Sequence, residues 1–335
     1  MAQNETPQPK SFGEKLMSMP RLALYGLLVL MTAGPLFVKQ TIPTTPGRPT
    51  IDLFAALMGL PDGSTVIVQS DWTNSTRGES AGAMEALLRI LMRKNIKFAL
   101  MAVGGAECPQ VAKDTIRRIN NERKANNEKE WKQWEDWVAL GYFPNAEGIA
   151  NAMANNLRTA WAGKKDMQPG VGMSDVFQSP VLKSIQRVED VQMIINIHAS
   201  DTLNRLIERI KKRTKLVSLC TGVMGPETLV YHTSGQIEGV SVGLNGVVEL
   251  ETLMERGISP YEDEPDKKKA AKLAEDPANP VMAEGKPKIE GFKGQTNFAR
   301  GMNYYLSLHF ALAMMILAVV LGNVGMALSR RRSAE

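Results

Sequence analysis

Two apolar segments near the ends of the chain constrain its fold more than any other feature. The segment Leu22–Val38 has no charged residue, and Leu306–Leu328 contains His309 and Asn323 as its only strongly polar residues. A helix that crosses a bilayer needs roughly 20 apolar residues, within a range of about 17–25. Both segments reach this length, so the sequence predicts a transmembrane helix near each end.

The first segment has a second interpretation, because a secretory signal peptide also combines basic residues with an apolar stretch. Such a peptide ends in a cleavage site of small residues. Pro35, Phe37 and Lys39 follow where that site would be expected. The sequence therefore favours an uncleaved anchor.

Basic residues beside the two segments predict the orientation of the chain. Lys10, Lys15 and Arg21 precede the first segment, and the tail SRRRSAE follows the second. Lys and Arg are enriched on the cytoplasmic side of membrane helices, so both termini are predicted to be cytoplasmic. The main domain would then lie in the periplasm, attached to a bacterial inner membrane. The opposite orientation stays open as an alternative.

Between the apolar segments, short β-branched runs alternate with helical patterns. Five runs predict buried strands: Ser64–Ser70, Ile96–Val103, Trp137–Phe143, Val191–Ala199 and Lys215–Thr221. Strands that alternate with helices form a parallel sheet covered on both faces, and right-handed crossovers make it doubly wound. The predicted fold class is therefore α/β, a doubly wound, mostly parallel, Rossmann-like sheet of five or six strands, flanked by two transmembrane helices.

These patterns divide the chain into consecutive segments. We predict a cytoplasmic N-terminal segment at 1–21, a transmembrane helix at 22–38, a linker and short helix at 39–59, the α/β domain at 60–256, a polar linker at 257–303, a transmembrane helix at 304–328 and a cytoplasmic basic tail at 329–335. The segment 257–303 is rich in Lys, Glu, Asp and Pro, a composition that is typical of linkers.

Three parts of the α/β domain are predicted less directly. Residues 110–136 are highly charged with almost no apolar stripe in the middle, so we expect a helix or helix pair that projects into solvent or meets a partner. Residues 162–184 are predicted to be a long loop, and residues 223–256 to be mostly helical. Within the latter, Gly239, Gly243 and Gly246 are predicted to form one helix face suited to close packing.

Three residues with potential catalytic chemistry fall at the predicted carboxyl ends of strands. Asp71 follows the first strand, His198 ends the fourth and Cys220 ends the fifth. Ligands of open parallel sheets bind at this edge. A nucleophilic thiol needs a base and the base needs an orienting group, so these residues are candidates for a catalytic set. The alternative is a capping Asp, a loop His and a core Cys.

Other chemistries find little support in the sequence. It lacks the G-x-x-x-x-G-K-[ST] motif, no G-x-G-x-x-G opens the first helix of the domain, and no cluster has metal-ligand spacing, so neither a cofactor nor a metal is predicted. A net charge of +5, without a basic block interleaved with aromatics, argues against nucleic-acid binding. Cys108 and Cys220 could form a disulfide or be two buried thiols.

The second apolar segment has one small and polar side. Gly322 and Gly325 flank Asn323 in the sequence. Polar groups are costly in lipid and small residues allow helices to approach, so this side favours packing against another transmembrane helix.

Three stretches of the domain carry a resemblance. They are the strand that ends at Asp71 with Glu79 opening the next helix, the segment LGYFPNAEG, and the segment YHTSGQIEGVSVGLNGVVELE. Over residues 60–256 and the two flanking spans, the chain resembles an uncharacterised family of bacterial membrane-anchored α/β proteins with N- and C-terminal transmembrane helices. This resemblance implies a Rossmann-like fold and a membrane location, and it implies no activity.

Paired anchors, a charged projecting helix and the lack of catalytic or phosphate motifs together predict a function. We expect a non-catalytic subunit of a membrane protein complex, with other membrane proteins as partners in an oligomer or hetero-complex. The alternative is a membrane-tethered enzyme or small-ligand receptor whose site lies at the carboxyl edge of the sheet.

Overall fold

The computed structural model describes residues 18, 20–37, 44–210, 212–259 and 288–332. The chain divides into two compact units, one of residues 43–302 and the other of residues 1–42 together with 303–335. Most of the predicted segment 1–21 and residues 260–287 of the predicted polar linker lie outside the described residues.

The described helices and strands alternate through most of the larger unit. In chain order the helices are α1 (Arg21–Ala33), α2 (Arg48–Met58), α3 (Arg77–Arg93), α4 (Cys108–Ala125), α5 (Ala146–Asn155), α6 (Leu157–Ala160), α7 (Thr202–Ile210), α8 (Gly225–Thr233), α9 (Gly243–Arg256) and α10 (Arg300–Arg332). The strands are β1 (Thr65–Asp71), β2 (Lys97–Ala102), β3 (Trp137–Tyr142), β4 (Lys165–Gln168), β5 (Gly172–Asp175), β6 (Met193–His198), β7 (Lys215–Cys220) and β8 (Val240–Val242).

Six strands form one parallel sheet in the order β3-β2-β1-β6-β7-β8. Counted along the chain within this sheet, the order is 3-2-1-4-5-6, which is that of Rossmann folds. The direction of winding reverses between β1 and β6, so the topological switch point lies at their carboxyl ends. The α/β fold class with a Rossmann-like parallel sheet is therefore confirmed.

Side chains of the sheet alternate between two cores, as the period of two along a strand requires. In β1, Val66 and Val68 belong to one core, whereas Ile67 belongs to the other. The first core lies under α2, α3, α4 and α9, and the second under α5, α6 and α7. All seven residues of β1 are buried, which explains why a β-branched run without polar alternation marks this strand.

Residues 162–184, predicted to be a loop, contain the antiparallel hairpin of β4 and β5. Met167 lies opposite Met173 in this hairpin, and both side chains are largely exposed. Asp166, which is buried, accepts hydrogen bonds from the Ala139 backbone N–H and the Gln133 side chain. Four-residue strands with one exposed face give too short an alternation to be recognised in the sequence.

The prediction of a projecting charged helix at residues 110–136 was wrong. Helix α4 ends at Ala125, and it buries Val111, Ile116 and Ile119 against the first core. This apolar stripe is regular but narrow, and the many charged residues of the opposite face make it hard to recognise in the sequence. Beyond the helix, Trp131 packs on Phe98 with the ring centroids 5.7 Å apart, so the following segment also joins the core.

Residues 223–256 are interrupted by β8, a strand of three residues at the edge of the sheet. The predicted glycine face is wrong for this reason, since Gly239 precedes β8 and Gly246 lies in α9. Gly243 adopts φ +58° at the turn between strand and helix, a conformation that favours glycine. A side chain at Gly239 would collide with the backbone of Leu53 in α2, so close packing is its role.

One helix among the described residues is long and apolar enough to cross a membrane, the part of α10 that spans Arg300–Ser329. The first apolar segment forms a shorter apolar helix, Arg21–Phe37, in which α1 is followed by a 3₁₀ turn at Gly34–Phe37. The first apolar segment is therefore too short to meet the length criterion for a transmembrane helix, so a second transmembrane helix is not established.

Candidate functional site

The three candidate residues form one row at the carboxyl end of the sheet. Asp71 of β1 lies opposite His198 of β6, and His198 lies opposite Cys220 of β7. The row therefore crosses the switch point between β1 and β6. All three residues are buried.

The Asp71 carboxylate ties β1 to the turn that follows β6. Its Oδ2 atom accepts hydrogen bonds from the Ser200 and Thr202 hydroxyls, each at 2.5 Å. Thr202 is the first residue of α7, so Asp71 holds the start of a helix across the switch point and does not cap the helix that follows its own strand. These bonds bridge the place where a Rossmann-like sheet would admit a ligand.

Both ring nitrogens of His198 are engaged inside the protein. Nδ1 lies 2.7 Å from the Ser200 carbonyl oxygen, and Nε2 lies 2.9 Å from the Ser218 hydroxyl. A carbonyl can only accept, so Nδ1 carries the proton and Nε2 accepts from Ser218. Burial lowers the pKa of His198, which keeps the ring neutral near pH 7. In the described structure no hydrogen bond joins this ring to Asp71 or Cys220.

The two thiols are unsuited to nucleophilic attack. Both cysteines are free and buried, so the disulfide considered for Cys108 and Cys220 is not formed. Burial raises the pKa of each thiol to about 11, which leaves roughly one thiolate in 10⁴ at pH 7. The Cys108 thiol donates to the Trp72 carbonyl oxygen at 2.9 Å. The predicted row is thus assembled, but Asp71 and His198 bond within the protein and the Cys220 thiol stays protonated at neutral pH.

Two glutamates beside the row hold neighbouring loops together by accepting backbone hydrogen bonds. Glu79 at the start of α3 accepts from the Gly222 backbone N–H at 2.8 Å, and Glu107 accepts from the Asn74 N–H at 3.0 Å. Gly104, in the loop after β2, lies so close to Asp71 that an added side chain would collide with its carboxylate. Among the residues that the structure describes, no group of three His, Cys, Asp or Glu side chains could hold a metal ion.

Ser200, Thr202 and Ser218 were missed as parts of this row. Ser200 and Thr202 stand in the segment HASDT, where hydroxyls after a strand suggest only a helix start. Ser218 lies within β7 with no signal in its neighbours. Their roles depend on which strands lie side by side, which the sequence does not state.

A second polar cluster, which we call the junction cluster, lies where α10 begins. It comprises Glu85 and Arg89 of α3, Arg118 and Glu122 of α4, and Arg300 of α10. Arg89 binds Glu85 at 2.9 Å and Glu122 at 2.8 Å. Glu85 also binds Arg118 at 2.5 Å and faces Arg300 at 3.6 Å. Buried charges are tolerated when they are paired in this way.

Glu251 of α9 caps the first turn of α10. Its carboxylate accepts from the backbone N–H groups of Ala299, Gly301 and Met302 at 3.0–3.1 Å. Four N–H groups at a helix N-terminus lack intrahelical partners, and a carboxylate complements their positive end. Burial nevertheless raises the pKa of Glu251 to about 7, although the three N–H groups lower it.

The segment before α10 lies along the same helices. Asn297 accepts from Arg93 at 2.6 Å, and it also donates to Glu255. Burial, reinforced by the neighbouring Arg89 charge, lowers the pKa of Arg93 to about 10. The end of the predicted polar linker is therefore part of the α/β domain.

Comparisons with protein-family models, with curated proteins and with solved structures each found no match to this chain. The comparisons therefore support no family for this chain, and the α/β fold rests on the sheet order.

Proposed function

We propose that this protein is a membrane-anchored, non-catalytic subunit of a membrane protein complex, in which the α/β domain serves assembly or interaction. The observation that carries the proposal is the cap that Glu251 provides to the start of α10. A flexible tether suffices for an enzyme that acts on dissolved substrates. Here the α/β domain holds residues 299–302, at the start of α10, through three hydrogen bonds, which supports a role in assembly.

The satisfied row at the carboxyl edge supports the same function. His198 uses both ring nitrogens within the protein, and the Cys220 thiol is protonated at neutral pH because its pKa is about 11. The candidate base, His198, is therefore occupied by hydrogen bonds, and the candidate nucleophile, Cys220, is in its unreactive thiol form. The polar groups of this edge stabilise the fold, and partner contact is left to the exposed surface.

The proposal includes a location. We place α10 across a bacterial inner membrane with the basic tail in the cytoplasm, and the α/β domain on the periplasmic side. The first apolar segment would be a second anchor, which also puts the N-terminus in the cytoplasm. The concentration of arginine in the tail supports this orientation.

Native size tests the proposed function. The full chain, extracted from its own membrane in a mild detergent, should migrate as a particle larger than one 36.8 kDa chain with its detergent. Light scattering combined with chromatography separates protein mass from detergent mass. A monomer under these conditions contradicts the proposal.

The strand order favours a second candidate function, a membrane-tethered enzyme or small-ligand receptor. Asp71 and His198 meet at the switch point, where Rossmann-like sheets bind ligands. In that case Asp71→Ala and His198→Ala should abolish ligand binding or a cellular phenotype while the chain stays folded. If neither substitution changes binding or phenotype, this candidate is rejected.

A further inference from the structure

The smaller unit leaves a groove beside α10. It is about 490 Å³ in volume and is lined by apolar side chains of α1 and α10, together with one carboxamide. The polar end of this lining is formed by Gly322 and Asn323. One water occupies about 30 Å³ in the liquid, so the groove has room for several side chains.

Asn323 differs from two other polar groups of these helices, which bond to the backbone of their own helix. The Thr32 hydroxyl donates to the Leu28 carbonyl oxygen at 2.9 Å, and His309 Nδ1 donates to the Tyr305 carbonyl oxygen at 2.8 Å. Within the described residues, the Asn323 carboxamide is exposed and makes no hydrogen bond. It lies six residues, or about 9 Å, before Ser329, which ends the apolar span.

We propose that this side of α10 binds the same side of a second copy of the chain, with the two Asn323 carboxamides hydrogen-bonded to each other. This inference rests on the proposed function and names the partner. A carboxamide both donates and accepts, so two of them satisfy each other across a two-fold axis. Lipid chains could fill the groove, but they offer no hydrogen bond.

Depth in the membrane favours a second copy over a different protein. Two copies inserted in the same direction bring residue 323 to the same depth, whereas another helix would need its own matched polar group. A side chain added at Gly322 would meet nothing within 4 Å, so the backbone of a neighbouring helix can approach there. Ala318 precedes Gly322 by one turn, which gives the spacing of small residues found at close helix contacts.

Cysteine cross-linking in native membranes tests the inference, because insertion direction is preserved there. Met326 lines the groove and is 46% exposed, while Val324 does not line it and is 44% exposed. The two positions have similar depth and lie about 160° apart around the helix. Met326→Cys should form a disulfide-linked dimer on oxidation, and Val324→Cys should not. The native cysteines are buried and give a low background.

Substitution of Asn323 then tests the hydrogen bond itself. In the Met326→Cys chain, Asn323→Leu should lower cross-linking about three- to tenfold, as expected for an interhelical polar contact. Asn323→Gln keeps a carboxamide and should retain most of the cross-linking. Ser307→Ala, which removes a different polar group of α10, is the control and should leave cross-linking unchanged. Equal cross-linking at residues 324 and 326, or no effect of Asn323→Leu, overturns the inference.

The outcomes separate this inference from the proposed function. If Met326→Cys gives no dimer while the native particle exceeds one chain in mass, the partner is another protein. The inference then fails and the proposed function stands. If the native particle is a monomer, the proposed function itself fails.

Discussion

At the scale of single residues, Asp71 is a structural link and not a free carboxylate. It receives two hydroxyl hydrogen bonds from the turn after β6, and hydrogen bonds to a charged group contribute roughly 1.5–3 kcal/mol each. Substituting Asp71 leaves the hydroxyls of buried Thr202 and exposed Ser200 without this acceptor. Loss of stability, not loss of chemistry, is the expected first consequence.

Asp71→Ala should therefore lower the free energy of unfolding by about 3 kcal/mol. The measurement is urea unfolding of the full chain in detergent, followed by tryptophan fluorescence. Asp201→Ala is the matched control, because Asp201 is exposed and pairs with the partly exposed Arg205 at 3.5 Å. Its effect should stay below about 1 kcal/mol. Similar losses for the two variants would contradict the role given to Asp71.

Glu251 predicts a pH dependence with a defined sign. Its folded-state pKa of about 7 lies above the ordinary value of 4.5, so the folded state binds more protons between these values. Stability should therefore fall as pH rises from about 4.5 to 7, by up to about 3 kcal/mol, and then level off.

Glu251→Gln tests this dependence by comparison with the wild type. His198 contributes in the opposite direction, because its pKa is lowered and stability is lost as pH falls below 6.5. The difference between the variant and wild type cancels this shared contribution. That difference, taken from urea midpoints at pH 5 and pH 8, should shift in favour of the variant at pH 8. A constant difference would show that Glu251 does not titrate in this range.

At the scale of elements, strands were predictable where burial is complete and helices where their apolar stripe is wide. β1, β2 and β7 stand out as β-branched or apolar runs, and each lies within a residue or so of its predicted bounds. β8 and the β4–β5 hairpin were not predictable, because three or four residues are too few to establish a period. The row of Asp71, His198 and Cys220 was predictable from the strand ends. Its hydrogen bonds were not, because they come from hydroxyl groups of the neighbouring strand and turn.

Helix α4 shows how charge can mislead. Ile116 is buried in the first core, while the adjacent Arg117 is exposed and pairs with Asp114 at 3.0 Å. Ile116→Ala should lower the free energy of unfolding by 2–5 kcal/mol, the range for removing a large buried aliphatic side chain. Arg117→Ala should change it by less than about 1 kcal/mol. A helix that projected into solvent would respond weakly to both substitutions, so urea unfolding distinguishes the two arrangements.

At the scale of the whole molecule, the proposed orientation can be tested by labelling. Ser18 precedes α1, and Val223 lies in the α/β domain and is 87% exposed. A membrane-impermeant maleimide applied to cells with a permeable outer envelope should label Val223→Cys and leave Ser18→Cys unlabelled. Detergent should then expose Ser18→Cys. The reverse pattern would place the α/β domain in the cytoplasm.

The cap on α10 has a consequence for the order of events during biosynthesis. Glu251 and Glu255 are made before the residues that satisfy them, since Asn297, Ala299, Gly301 and Met302 leave the ribosome later. Until the nascent chain has passed Asn297, the Glu251 carboxylate lacks the backbone N–H groups that it binds in the folded protein. The α/β domain therefore completes this part of its packing only after residues 297–302 have been made, so the end of its folding waits for synthesis to reach the start of α10.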